Sequence, residues 1–352
     1  MKDYCVLMAY MDPVTGKVFR RRNLVEVVRH WRENFPEGDI VVAEQAASGQ
    51  SAVSIPDAIH EIVDVGTDEF CKTRVLNAAL QRHPGYRFYI MADADAYLDA
   101  NVFAYIRSHR DEQNLIFPYS DVLYLDETDT RLVIAGEPLR PGTKDHGVVI
   151  ARQTGLCNVF SKELYESAGG FDADFVGWGA EDDAFCFKTT RLHRKVIRNT
   201  GPGIVYHLFH PKVNTRAYIK SKPYIMNRKR CACIRRMSDS DFADYIGGKT
   251  SLAVLMEKYE AMGRLDVDLK WPCVPGKSLC IDSTIYDLKL DGLSFTKLMD
   301  EMLREDGPEV SLRFFNEVIL PLGNFNDRQR EELAQIHSRI VNLVRCAHVP
   351  VQ

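Results

Sequence analysis

Short apolar runs recur through the first part of the chain, and each gives way to a stretch whose apolar residues return every three or four positions. Cys5 to Ala9, Ile40 to Ala43 and Phe88 to Ala92 are such runs. They are too short for buried helices and too continuous for one-faced strands, which leaves strands covered on both faces. Between the first two, Leu24, Val27, Val28 and Trp31 fall at i, i+3, i+4 and i+7 and predict an amphipathic helix. Val75, Leu76, Ala79 and Leu80 predict a second, stopped near Pro84-Gly85. Repetition of strand, helix and strand specifies an α/β layer on a mostly parallel sheet. Ligands of such sheets collect beyond the carboxyl ends of the strands.

The texture changes near residue 236, which divides the chain into a catalytic domain, 1–236, and a helical C-terminal region, 237–352. Asp239 or Ser240 is suited to cap a short helix there. Leu252, Leu255, Met256 and Tyr259 share one helical face, and Phe295, Leu298, Met299 and Met302 another. Leu333, Ile336, Ile340, Leu343 and Val344 form a longer face after an Asp327 cap. No run reaches the length of a membrane span, and the apolar opening Tyr4 to Tyr10 reads as a first strand rather than a leader. Nine cysteines are scattered without zinc spacing. A four-cysteine site from Cys231, Cys233, Cys273 and Cys280 is the weaker reading beside reduced, buried thiols, and the expectation is a cytoplasmic protein.

Three segments carry chemistry. The stretch YRFYIMADADAYLD, Tyr86 to Asp99, delivers Asp93 and Asp95 to the end of a strand, where alternate carboxylates point the same way. Hard oxygen ligands there suit Mn²⁺ or Mg²⁺ shared with a diphosphate; the bland reading is a pair of solvated turn aspartates. In GGFDADFVGWGAEDDAF, Gly169 to Phe185, the acids Glu181, Asp182 and Asp183 follow Trp178 and open a helix. A helix N-terminus keeps a partly desolvated carboxylate ionised, as a general base requires, and Trp178 offers a flat face to a sugar ring. A capped surface helix over a buried tryptophan is the alternative. His207 and His210, in YHLFHP, are spaced to meet one cation if the backbone turns, and imidazole favours Mn²⁺ over Ca²⁺.

In order, these segments resemble the β-1,4-galactosyltransferase family of the GT-A fold over about the first 215 residues. Phe19-Arg20-Arg21-Arg22 is similar to its F-R-x-R, and Phe70-Cys71-Lys72-Thr73-Arg74-Val75-Leu76-Asn77 to its F-N-R-A-K-L-L-N. Asp93-Ala94-Asp95 stands at its D-V-D, Ser161-Lys162 with Gly169-Gly170-Phe171 at its S-K…N-G-F, and Gly177 to Asp183 at its G-W-G-G-E-D-D. Ala180 replaces a glycine and Lys72 an arginine. The small-residue pair ahead of S-K, which helps choose the donor sugar, is reduced to Gly155 before Leu156.

The resemblance implies a GT-A fold and a hexosyltransferase moving a hexose or N-acetylhexosamine from a UDP-sugar to a carbohydrate or other hydroxyl acceptor, with inversion. It assigns Asp95, His207 and His210 to Mn²⁺, with Mg²⁺ as substitute. Phe19, Arg20, Arg22, Phe70, Lys72, Asp93 and Trp178 fall to the donor, Trp178, Glu181 and Asp183 to the acceptor, and Asp182 to the base. A retaining N-acetylgalactosaminyltransferase-like enzyme shares the acidic segment. A metal-dependent hydrolase and a non-catalytic sugar- or nucleotide-binding module are the rival classes.

The net charge of −4 favours no particular partner, yet Ala184 to Met237 holds 6 Lys and 8 Arg and no acid. Such a stretch either serves the diphosphate and solvent or forms a basic face for a polyanionic acceptor such as DNA, with Tyr206, Tyr218 and Tyr224 interleaved. A phage-type enzyme glycosylating modified bases would fit the second case.

Overall fold

A computed structural model describes residues 3–12, 17–46, 55–141, 148–151, 154–211, 221–265 and 327–347, with a few isolated positions besides. The apolar runs are strands: β1 (Tyr4–Met11), β2 (Gly38–Gln45) and β4 (Phe88–Ala92), joined in parallel at the centre of a sheet, with β3 (Ile59–Val63) at one edge. Toward the other edge lie β6 (Leu115–Phe117), β9 (Cys157–Ser161) and β10 (Val196–Arg198), giving the order β10-β6-β9-β4-β1-β2-β3. β9 is antiparallel to β4 and β6, and the remaining pairs are parallel.

Both expected helices form. In α1 (Lys17–Asn34), Leu24, Val27, Val28 and Trp31 are fully buried; in α2 (Lys72–Arg82), Val75, Leu76, Ala79 and Leu80 are. Burial of one apolar stripe, rather than propensity, holds each of them.

A second sheet has the order β5 (Ala96–Leu98), β11 (Ile204–His207), β7 (Asp121–Tyr124), β8 (Val148–Ala151). It leaves the first at the turn Asp93–Asp95, between β4 and β5. Asp99 anchors it: one carboxylate oxygen accepts from the Val102 amide, capping α3 (Ala100–Ser108), and the other from the Ile204 amide at the start of β11.

After the short helices α4 (Glu127–Ile134) and α5 (Lys162–Ser167), the helix opened by the acids is α6 (Glu181–Arg191), and α7 (Lys222–Arg236) packs across it. A separate apolar cluster joins Ala184 of α6, Cys231, Cys233 and Ile234 of α7, Phe242 of α8 (Asp239–Ile246), and Leu252, Leu255, Met256 and Tyr259 of α9 (Leu252–Ala261). Ser238, not Asp239 or Ser240, caps α8: its extended backbone lets the hydroxyl accept from the Asp241 amide. Leu333, Ile336 and Ile340 are the buried stripe of α10 (Asp327–Ala347), in which Asp327 is itself the first helical residue. The face expected from Phe295 to Met302, and Cys273 and Cys280, lie outside the described residues. Cys231 and Cys233 are buried within the apolar cluster, and Cys5, Cys71, Cys157 and Cys186 are buried elsewhere. Among the described residues no helix is long and apolar enough to cross a membrane.

Candidate active site

Register brings the distant acid and histidine together. β11 runs antiparallel to β5 with His207 opposite Ala96, so the end of β11 meets the turn that precedes β5. The Leu208 amide donates to the Asp95 carbonyl (2.9 Å), extending the ladder to the aspartate. His207 Nε2 lies 3.9 Å and His210 Nε2 3.3 Å from the Asp95 carboxylate, and the three ligand atoms fall within 4.8 Å of one another. His210 Nδ1 donates to the Pro211 carbonyl (3.2 Å), which fixes the ring with Nε2 directed at the cluster. Tyr124 stacks on His207 at 4.4 Å. Two imidazole nitrogens and one carboxylate form a donor set suited to Mn²⁺. Burial alone would raise the Asp95 carboxyl, but His207, His210 and Arg20 overcome it and hold the group well below the usual carboxylate range.

The start of α1 borders this cluster. Arg20 reaches within 3.8 Å of Asp95, Phe19 meets Phe209 edge to face, and Asn23 donates to the Phe209 carbonyl. Arg22 turns to the Asn23 side-chain oxygen and lies over Phe19. The F-R-x-R motif therefore frames the tail of β11.

Asp93 faces the other way. Its amide donates to the carbonyl of Leu156, a non-glycine residue held at φ 71°, and its carboxylate lies 2.9 Å from Lys72 Nζ. The same ammonium is 3.2 Å from Asp182 and 4.0 Å from Glu181. One cation thus joins the strand-end turn to the helix N-terminus. Burial opposes the charge on Lys72, yet the three acids outweigh it and keep the amine protonated. With three carboxylates around one ammonium, a negative excess remains. Burial, with Glu181 and Asp93 adding to it, pushes the Asp182 carboxyl well up against the pull of Lys72.

The remaining acids are anchored. Glu181 is buried and accepts from the Gly179 amide at 2.9 Å, so it shapes the loop before it. Asp183 accepts from the Thr154 hydroxyl at 2.7 Å and lies 3.7 Å from Arg228 of α7. Trp178 stays 43% exposed, beside the Tyr224 ring. The Phe70 carbonyl accepts from the Gly177 amide, tying the loop that precedes α2 to the tryptophan loop. Gly177, Gly179 and Ala180 all have positive φ; Ala180, at 68°, sits where the motif's glycine would be unstrained.

The basic stretch is largely turned inward among the described residues. Lys188 is buried against Asp172 and the Gly170 carbonyl, Arg191 holds Asp239 and the Met237 carbonyl, and Arg194 lies near Glu163. Arg228 and Lys229 meet Asp183 and Glu260. This disposition gives no support to a basic face for a polyanion. Sequence reasoning missed Thr154, Arg228 and Asn227 as neighbours of the acidic loop; none belongs to a motif, and no local signal marks them.

Residues 150–211 match the family model described as the N-terminal domain of galactosyltransferase. That segment carries the Gly–Trp–acid motif and both histidines. Together with the mostly parallel sheet and the strand-end D-x-D turn, it agrees with the expected GT-A fold and with a glycosyltransferase. Solved structures similar in part include the catalytic domain of a Drosophila β1,4-galactosyltransferase 7 with xylobiose, at 15% identity, 58% of this chain and 71% of that one covered, and a TM-score of 0.36. GalNAc-T7 with UDP, GalNAc and Mn²⁺ gives 14%, 78%, 59% and 0.46. The mannosyltransferase PcManGT from Pyrobaculum calidifontis with GDP-Man and Mn²⁺ gives 14%, 97%, 86% and 0.40. No curated protein sequence matches the chain.

Proposed function

We propose that this chain transfers a hexose or N-acetylhexosamine from a UDP-sugar to a hydroxyl acceptor with inversion, using Mn²⁺, or Mg²⁺ in its place, at Asp95, His207 and His210. The observation that carries the reading is that one strand-end turn serves both parts of the site: Asp95 stands in that cluster, while Asp93, two residues earlier, holds Lys72 at 2.9 Å, which in turn lies 3.2 Å from Asp182. A bound divalent cation supplies positive charge for the donor's diphosphate and the departing nucleotide.

The protein's own groups do the rest. Arg20, at the edge of the cluster, adds fixed positive charge beside the diphosphate. Phe19, Arg22 and Phe70 border the nucleotide side. Trp178, exposed next to Tyr224, gives a sugar an apolar face. Asp182, with a raised affinity for protons, accepts the acceptor's hydroxyl proton as the oxygen attacks the anomeric carbon. Asp183, held by Thr154 and Arg228, and Glu181 orient the acceptor's hydroxyls.

Asp182→Asn tests the assignment. Turnover is expected to fall by at least about 100-fold, the usual contribution of one general base, while UDP still binds in the presence of Mn²⁺. Near-normal turnover would remove Asp182 from the role. The anomeric configuration of the product separates inversion from retention, and release of free sugar without acceptor product would indicate a hydrolase.

A further inference from the structure

The loop that presents Trp178 is tied down at three successive places by three different parts of the chain. Gly177 donates its amide to the Phe70 carbonyl (2.8 Å), and Gly179 donates its amide to the Glu181 carboxylate (2.9 Å). The third tie comes from α7. The Asn227 side chain, fully buried, donates to the Val176 carbonyl (2.9 Å) and accepts from the Val176 amide (3.4 Å). A single side-chain amide thereby pairs with both backbone groups of one residue, as a neighbouring strand would. Arg230, one turn on, donates to the same Asn227 oxygen at 3.0 Å, which fixes the amide's orientation.

Neighbours on α7 act on the same loop. The Tyr224 ring lies 5.8 Å from Trp178, and it stands where a side chain at position 179 would have to go: a Cβ built on Gly179 meets the ring at 2.6 Å. Arg228 lies against Asp183. Tyr224, Asn227 and Arg228, at i, i+3 and i+4, form one face of α7 directed at the tryptophan loop and the acidic helix.

We infer that Asn227 is a positioning residue that holds the Trp178 loop in place for sugar binding, with α7 as the wall of the acceptor side of the site. This rests on the transferase reading for its purpose but not for its geometry. Asn227→Leu keeps the branching and the number of side-chain heavy atoms and removes both hydrogen bonds to Val176 together with the one from Arg230.

The test is hydrogen exchange and Trp178 emission on the full chain, wild type and Asn227→Leu, each also carrying Trp178→Phe so that the Trp178 signal is obtained by difference. In the wild type the Val176 amide is expected to be protected. In Asn227→Leu its exchange accelerates about 10-fold or more, Trp178 emission shifts to longer wavelength, and exchange within α6 and α7 stays as it was. UDP binding in the presence of Mn²⁺ is unchanged.

An unprotected Val176 amide in the wild type overturns the inference without any variant. So does unchanged Trp178 emission in the variant, or equal loosening of the loop and both helices, which would mark Asn227 as packing alone. If wild-type protein fails to bind UDP with Mn²⁺, it is the transferase reading that falls, while the clamp is still judged by exchange.

Discussion

Lys72 stands between Asp93 and Asp182, and its ammonium governs how readily the second of these gives up a proton. Burial raises the Asp182 carboxyl and Lys72 opposes the rise. Activity that needs an ionised Asp182 is lost as pH falls through that raised value. Lys72→Met removes the opposing charge and keeps the length of the side chain, so the acid limb of kcat/KM against pH is expected to move to higher pH. A limb that stays put, or moves lower, would show that Lys72 does not set the ionisation of the base. From the sequence, Lys72 is expected at the nucleotide; its pairing with an acid 110 positions away leaves no trace in local spacing. The grouping of Asp95, His207 and His210 was easier to anticipate, because a metal site demands particular ligand atoms and those residue types are few. Glu181 was harder: the sequence offers it to the acceptor, and its bond to the Gly179 amide, in a loop where Gly179 and Ala180 have positive φ, leaves no signal in local spacing.

At the level of elements, Asp99 joins three: the end of β5, the first turn of α3 and the start of β11. Asp99→Ala removes a helix cap and leaves the Ile204 amide without its acceptor, a loss of about 1–3 kcal/mol. Urea unfolding measures it, and a change below about 0.5 kcal/mol, the range of an indifferent surface substitution, would show that the junction bears no strain. The central strands and the first two helices were readable because buried runs and i, i+3, i+4 stripes leave a strong periodic signal. The second sheet was not. β5 has three residues and β7, β8 and β11 four each, too short to show a period, and pairings such as β11 with β5 and β7 link segments far apart in the chain. Nor did the residue-236 change in texture reveal that α7, α8 and α9 share one apolar cluster with α6.

For the molecule as a whole, ligand binding should register as stability. A cation and nucleotide that bind only the folded chain add about 2.7 kcal/mol at a hundredfold excess over Kd. Mn²⁺ with UDP is therefore expected to raise the thermal midpoint, and His210→Ala to abolish the part that depends on metal. An equal rise in His210→Ala would place the cation elsewhere.

The ladder between β11 and β5 bears on how an ion is captured. Main-chain hydrogen bonds, which need no ion to form, set Asp95 and His207 beside each other, so capture need not recruit a floppy segment. Chelator-treated protein should keep its shape, and the ion should bind as though entering a finished socket.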